Sequence, residues 1–250
     1  MKKILLIVTV IVTIFIIYLL NIDRKIYYVA LGDDISTIKL DQNKGYSSYI
    51  NDYLAYYDKL EKYIYHFSEE GYRITDIISD INNNKKVSIE DTEKTIKNAL
   101  IKADLLTLSV GLNDLSSKIN RQNINSINNY NSLYNAVDQI SEDLEELLIL
   151  LRKYCKEDIF LIGVYYPYHD QNLDLSDVFS YFNKKFKELA VTYNVKYIDI
   201  YDLFLENPNY LSETNIYPTE EGLEAISRQI IVTINNTIVK NSWFCKKRLL

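Results

Sequence analysis

Strand-like and helix-like segments alternate through most of the chain, and this alternation limits the possible folds more than any other feature of the sequence. Five short runs rich in β-branched and aromatic residues read as buried strands: KIYYVAL, KYIYHF, DLLTLSVG, DIFLIGVYYP and VKYIDI. Helical spacing of apolar residues lies between them, at 45–60, 73–81, 89–103, 132–155, 177–194 and 218–239. The pattern predicts a three-layer α/β/α sandwich around a flavodoxin-like parallel sheet of about five strands.

An uncharged apolar run, residues 4–20, stands before the first strand. Its 17 residues are at the short end of what crosses ~30 Å of hydrocarbon as a helix. Neither a small-residue cleavage site nor a cysteine for lipid attachment follows it, which favours an uncleaved anchor over a removed signal peptide. We therefore predict a membrane anchor over residues 1–25, a folded domain over 26–240 and a tail over 241–250.

The charges around this run indicate how the chain is oriented. Lys2 and Lys3 precede it, and a short basic N-terminal tail usually stays in the cytoplasm. This predicts a single-pass membrane protein of the cell envelope with an extracytoplasmic domain. The net charge of −6, without a basic stripe, argues against a nucleic-acid partner. The only cysteines, Cys155 and Cys245, are too few for a disulfide framework or a cysteine zinc site, and no cofactor is expected.

Polar residues and glycines follow several predicted strands, at the edge where parallel sheets bind ligands. They are Gly32, Asp33 and Asp34 after the first strand, Gly71 after the second, Gly111, Asn113 and Asp114 after the third, and the segment TNIYPTEEG at residues 214–222. This set, in this order, resembles the SGNH or GDSL hydrolase superfamily, whose blocks read G-D-S, a lone Gly, G-x-N-D and D-x-x-H-P. The resemblance covers nearly all of the chain after residue 25.

The resemblance implies an esterase site whose oxyanion-stabilising parts are present but whose triad is substituted. Gly71 and Asn113 match the positions that stabilise the oxyanion in the family. Asp34 stands at the position of the nucleophilic serine, Thr214 at that of the orienting aspartate, and Tyr217 at that of the histidine. No catalytic triad is therefore intact, and we expect the Asp34 carboxylate to fill the oxyanion hole itself.

The supporting positions in the resemblance are Gly32, Asp33, Gly111 and Asp114. Asp33, Asp34 and Asp114 could instead gather around Mg²⁺ or Ca²⁺ as oxygen ligands, but the resemblance makes Asp33 and Asp114 structural, and no metal is predicted.

Two further side chains have two readings each, and a third has one. Ser36 is either a displaced nucleophile or, as in the family, a residue that supports the turn. His169, in the loop after the fourth strand, is either a base or a solvated loop histidine. His66, which ends the second predicted strand, reads as a packed residue.

These features predict a membrane-anchored pseudoenzyme that binds an envelope carbohydrate, lipid or protein partner. The first alternative is an active esterase or deacylase with an unusual site, which pairs His169 with Ser36 or uses the Asp34 carboxylate. The second alternative is a structural envelope protein with an empty cleft. An ester-hydrolysis assay separates the active enzyme from the other two.

Overall fold

The computed structural model describes Thr13 and residues 25–37, 44–119, 131–168 and 174–235. In these residues the strands are β1 (Ile26–Gly32), β2 (Leu60–Ile64), β3 (Lys86–Ile89), β4 (Thr92–Thr95), β5 (Leu105–Ser109), β6 (Asp158–Ile162) and β7 (Lys196–Ile198). A five-stranded sheet has the order β2-β1-β5-β6-β7, and all its neighbours are parallel. The predicted sheet is confirmed, and β1 lies inside it between β2 and β5.

Helices cover both faces of this sheet. They are α1 (Tyr46–Tyr56), α2 (Ile74–Asn82), α3 (Ile96–Lys102), α4 (Leu112–Ser116), α5 (Asn131–Tyr154), α6 (Ser176–Thr192), α7 (Tyr201–Glu206) and α8 (Glu220–Ile234). Helices α1 and α8 pack together, while α2, α3 and α6 all pack against the long helix α5. Right-handed crossovers place these two sets on opposite faces, which makes the three layers that the sequence predicts.

The apolar face of each helix is buried against the sheet. Strands β1 and β5 are buried along their whole length, as expected for strands covered on both sides. In α5 the buried residues recur every three or four positions, which is the spacing that predicts this helix. Cys155, just after α5, is a fully buried free thiol.

The helix predicted at 89–103 is wrong in its first half, where β3 and β4 form an antiparallel hairpin. Its turn residues Glu90 and Asp91 have φ values of 50° and 58°, as the tight turns of two-residue hairpins require. Before the turn, the β-branched Val87 and Ile89 alternate with polar residues, which favours a strand there. The helix begins only at Ile96, after the hairpin.

Other boundaries differ by a few residues. The second strand was predicted to reach Phe67, but β2 ends at Ile64 and the site loop starts there. Pro218 was predicted in the first turn of the last helix, but Thr219 is the N-cap of α8, and its Oγ1 accepts a hydrogen bond from the Gly222 N–H at 3.3 Å.

The predicted anchor and tail lie outside the described residues, apart from Thr13 and Lys25. Within the part of the chain that the structure describes, no helix combines the length and the apolar character needed to cross a bilayer.

Candidate functional site

The candidate site begins where β1 ends. Gly32 is the last residue of β1 and pairs with Ser109 at the end of β5. The chain then turns through a single 3₁₀ turn, Asp34–Ser36, at the carboxyl edge of the sheet. This turn places the side chain of Asp34 over the strand ends, where it is only 6% exposed.

The Asp34 carboxylate accepts hydrogen bonds from three separate parts of the chain. Its Oδ2 accepts from the Gly71 N–H at 3.2 Å and from the Asn113 side-chain amide at 2.6 Å. Its Oδ1 accepts from the Tyr217 hydroxyl at 3.1 Å. The structure therefore brings together Asp34, Gly71, Asn113 and Tyr217, which the sequence places far apart.

Contacts of the loop after β2 position the Gly71 N–H. The Glu69 N–H donates to the Gly32 carbonyl at 3.3 Å, which ties the loop to the end of β1. Lys85 forms ion pairs with Glu69 and with Asp80, the latter at 3.0 Å, and so fastens the loop to α2. Gly71 itself has a φ of 76°.

Helix α4 positions Asn113. Gly111, the N-cap of α4, has a φ of 104°, and a Cβ there would lie 2.8 Å from a ring carbon of Phe186 and 2.9 Å from one of Phe182. Asn113 also donates from the same amide nitrogen to the Tyr72 carbonyl at 3.1 Å. The amide is thus held between Asp34 and the loop that carries Gly71.

Asp114 is structural, as the resemblance implies. Its two carboxylate oxygens lie 3.3 and 3.4 Å from the Ile74 backbone nitrogen, which donates to them at the start of α2. Burial raises the pKa of Asp114 to about 6. The contact joins α4 to α2.

Tyr217 reaches Asp34 from the turn that precedes α8. Its own N–H donates to Asn215 Oδ1 at 2.9 Å, and its carbonyl accepts from the Ser212 N–H at 3.0 Å. Burial and the Asp34 charge raise the pKa of Tyr217 to about 12, so its hydroxyl keeps its proton and donates.

Thr214 lies on the surface of the same turn. It is bonded there to Ser212 Oγ, through its N–H at 3.2 Å and its hydroxyl at 3.1 Å, rather than to the Asp34 cluster.

A buried network of hydroxyl groups lies beneath the turn. Ser36 is fully buried, and its Oγ lies 2.6 Å from Ser109 Oγ and 3.1 Å from the Tyr46 hydroxyl. Ser109 Oγ in turn donates to Asp33 Oδ1 at 2.8 Å. Ser36 is therefore a turn-supporting residue in a sealed network, not an accessible nucleophile.

Asp33 is the titratable member of this network. Burial, followed by the charge of Asp34, raises the pKa of Asp33 to about 8, so most of it is protonated at neutral pH. Sequence reasoning missed Ser109 and Tyr46; the available signal was a serine at the end of an otherwise apolar strand run, LTLSV.

With this geometry established, comparison with known proteins shows the family. The profile of the GDSL-like Lipase/Acylhydrolase family matches residues 30–225, most of the chain. The chain belongs to the GDSL-like lipase/acylhydrolase family. The match spans every element of the candidate site, from β1 to the first turn of α8. A comparison with curated proteins gives no match.

Solved structures share the fold. A lipase from a goat rumen metagenome is 21% identical with a TM-score of 0.68, over 82% of this chain and 95% of that chain. An acetylxylan esterase from Geobacillus stearothermophilus is 16% identical with a TM-score of 0.61, over 83% and 93%. A lipase/acylhydrolase from Enterococcus faecalis is 17% identical with a TM-score of 0.58, over 84% and 95%. At these identities the likeness shows the fold alone.

In this member of the GDSL family a small cavity lies beside Asp34. A cavity lined by Asp34, Val110, Tyr165 and Tyr217 encloses about 10 Å³, roughly room for one water molecule. Tyr165 is held in place by a hydrogen bond from its hydroxyl to the Ile216 carbonyl at 3.0 Å. Tyr217, bonded to Asp34, forms part of the lining of this cavity.

His66 does not join the described site. His66 stacks on Tyr65 with ring centroids 4.1 Å apart, and burial together with the charge of Lys62 lowers the pKa of His66. His169 lies outside the described residues. Among the residues that the structure describes, no group of three His, Cys, Asp or Glu side chains is placed to hold a metal ion.

Proposed function

We propose that this chain is a catalytically inactive GDSL-family protein, held on a membrane by its N-terminal run, that binds a ligand at the mouth of the former active site. One observation carries the proposal. The Asp34 carboxylate already takes the hydrogen bonds of the Gly71 N–H and the Asn113 amide, the two donors that match the oxyanion-stabilising positions of the family. The oxygen that those donors would stabilise during ester hydrolysis is thus replaced by a carboxylate oxygen of Asp34.

The same contacts argue against chemistry by the carboxylate itself. Attack of Asp34 on an ester would move its negative charge to the tetrahedral oxyanion, while the Gly71 and Asn113 donors that would stabilise this oxyanion are already bonded to Asp34 Oδ2. Hydrolysis of the resulting anhydride would then need a base to activate water. Tyr217, whose pKa of about 12 keeps it protonated, does not supply one at neutral pH.

The chemistry of the mouth favours a carbohydrate among the three expected partner classes. Glu70 is exposed and close enough to Tyr217 for its charge to contribute to the raised pKa of that residue. Carboxylates accept hydrogen bonds from hydroxyl groups, and half-buried tyrosine rings such as those of Tyr217 and Tyr72 offer an apolar surface to the CH faces of a sugar. One solved neighbour is described as an acetyl-xylooligosaccharide esterase.

The location is part of the same proposal. The uncharged run at 4–20 and the lysines before it support a single-pass anchor with the domain outside the cytoplasm. A ligand of the envelope would then be within reach of the site.

An ester-hydrolysis assay tests the loss of catalysis. The full-length protein in detergent is incubated with 4-nitrophenyl acetate and 4-nitrophenyl butyrate beside Asn113→Ala and Asp34→Ala. We expect all three proteins to release nitrophenol at the same background rate. Turnover in the natural protein that disappears in Asp34→Ala or in His169→Ala would show an active esterase instead.

Calorimetry tests the ligand class. Acetylated and unacetylated xylo-oligosaccharides are titrated into the full-length protein and into Glu70→Gln, which leaves the Asp34 contacts in place. We expect binding that Glu70→Gln weakens severalfold. The absence of binding to both sugars would overturn the carbohydrate assignment.

A further inference from the structure

Exposed apolar side chains gather at the edge of the sheet opposite the candidate site. In the described residues, five of them lie within two residues of the C-terminal ends of α1, α3, α6 and α8. They are Tyr56 (83% exposed), Tyr57 (56%), Ile101 (64%), Val191 (79%) and Val232 (56%), and we name this group the basal rim. Such side chains cost free energy in water, so a group of them at one end of a domain indicates a contact surface.

The topology explains why these residues share one end. The helices run antiparallel to the strands, so helix C-termini lie at the amino ends of the strands. Tyr57 directly follows α1 and lies three residues before β2. Ile101 and Val191 likewise lie at the ends of the helices that lead into β5 and β7. The hydrogen bond from the Tyr53 hydroxyl to Asn235 Oδ1, at 3.0 Å, brings the end of α8 beside the end of α1.

The chain enters the domain at this rim. The Lys25 ammonium forms an ion pair with Asp58 at 2.6 Å, directly beside Tyr57. The Ile26 N–H donates to the Lys59 carbonyl at 2.6 Å. The apolar run ends at residue 20, and the five steps from there to Lys25 span at most roughly 17 Å.

Lysines accompany the apolar residues of the basal rim. Lys102, Lys153 and Lys156 are exposed near the ends of α3 and α5, in a chain whose net charge is −6. Of the two acids that follow Lys156, Glu157 is exposed and Asp158 is paired with Lys196 at 2.5 Å. Tyrosine, aliphatic side chains and lysine together match the headgroup region of a bilayer that contains anionic lipid.

We infer that the basal rim rests on a bilayer surface with anionic headgroups, so that the candidate site at the opposite edge of the sheet faces away from the membrane. The inference rests on the proposed anchor and adds an orientation to it. A short connection from the apolar run keeps the rim close to the lipid, and the exposed apolar side chains then enter the interface.

Quenching by brominated lipid tests this orientation. The full-length protein, with Trp243→Phe to remove its single tryptophan, is reconstituted in vesicles of phosphatidylcholine and phosphatidylglycerol with brominated acyl chains. Tyr57→Trp and Val191→Trp each place one tryptophan on the rim. Leu205→Trp is the matched control, since Leu205 is also exposed (48%) but follows Phe204, whose ring stacks on Tyr165 of the site cavity with centroids 4.9 Å apart. We expect quenching of both rim tryptophans at least about twofold stronger than that of the control.

Two kinds of failure can be told apart. Protein that floats with the vesicles while its rim tryptophans are quenched no more than the control would overturn the orientation and leave the anchor in place. Protein that does not float with the vesicles would overturn the anchor, and the orientation with it. If a second copy of the chain covered the rim, lipid would not reach the rim tryptophans. The protein would then float with the vesicles without stronger quenching, which would also overturn the orientation.

Discussion

The hydroxyl of Tyr217 donates to Oδ1 of Asp34 across 3.1 Å, although 183 positions separate the two residues. This bond closes the mouth of the site over the carboxylate. It also joins the turn before α8 to the turn after β1, at the positions that the sequence resemblance predicts to correspond to the histidine and the serine of the family.

Removal of this bond is expected to destabilise the protein slightly. Tyr217→Phe keeps the ring and removes the donor, and a hydrogen bond to a charged group contributes about 1.5–3 kcal/mol when it is well shielded from water. Because Tyr217 is only half-buried, we expect a loss of about 1 kcal/mol in the free energy of unfolding, measured by urea denaturation. Tyr56→Phe, at an exposed ring, should show no change; an equal loss in both variants would contradict the assignment.

Removal of the Asp34 carboxylate should create a site for small anions. In Asp34→Ala the Gly71 N–H and the Asn113 amide lose their common acceptor, and a carboxylate such as acetate can replace it. We expect acetate to raise the melting temperature of Asp34→Ala, relative to chloride at equal ionic strength, but not that of the natural protein. Addition of Asn113→Ala to the variant should abolish the effect; an acetate effect that persists would place the anion elsewhere.

The stability of the protein should fall with rising pH because of Asp33. Its carboxyl titrates at an ordinary value of 3.8 when unfolded and at about 8 when folded, so the unfolded chain loses the proton first. The resulting stabilisation is complete below about pH 4 and is lost as the pH rises to about 8, by at most about 1.4 kcal/mol per pH unit. We expect Asp33→Asn to reduce the dependence of the melting temperature on pH over this range. Asp91→Asn, at an exposed position, should leave that dependence unchanged.

Two glycines near the site should differ in their tolerance of alanine. Both have positive φ, but a Cβ at Gly111 meets two phenylalanine rings, whereas a Cβ at Gly71 has no heavy atom within 4 Å. Gly71→Ala should therefore cost about 1 kcal/mol of backbone strain, and Gly111→Ala that amount plus about 1–3 kcal/mol from overpacking. Urea denaturation measures both; equal losses would show that the rings move aside freely.

Introduction of serine at position 34 and histidine at position 217 should show why the protein lacks esterase activity. Either only the catalytic side chains are missing, or the space for the substrate is missing as well. Asp34→Ser alone should be inactive, since none of the residues that the structure describes is placed as a base to take the serine proton. Adding Tyr217→His is expected to give slow hydrolysis of 4-nitrophenyl acetate, because Tyr217 already reaches position 34. Adding Thr214→Asp should raise the rate little, since Thr214 lies on the surface, bonded to Ser212. A double variant as slow as Asp34→Ser would indicate that position 217 does not present the imidazole to the serine.

The sheet and the meeting of Asp34 with Gly71 and Asn113 could be predicted from the sequence, because strand ends in a parallel sheet converge at one edge. The hairpin of β3 and β4 could not be predicted. Its second strand, TEKT, is polar and has no buried side chain, so its sequence fits a helix as readily as a strand. The buried bonds of Ser36 and Ser109 were also missed. They depend on two strands lying side by side, which no local pattern encodes.

The interior position of β1 has a consequence for synthesis. Its hydrogen-bonding partners are β2 on one side and β5 on the other, and β5 begins only at Leu105. A nascent chain that has not yet released residues 105–109 from the ribosome leaves one edge of an apolar strand unpaired. Such an edge recruits other strands, so the first hundred residues alone are expected to aggregate or to engage chaperones. Completion of the domain therefore depends on how quickly β5 follows.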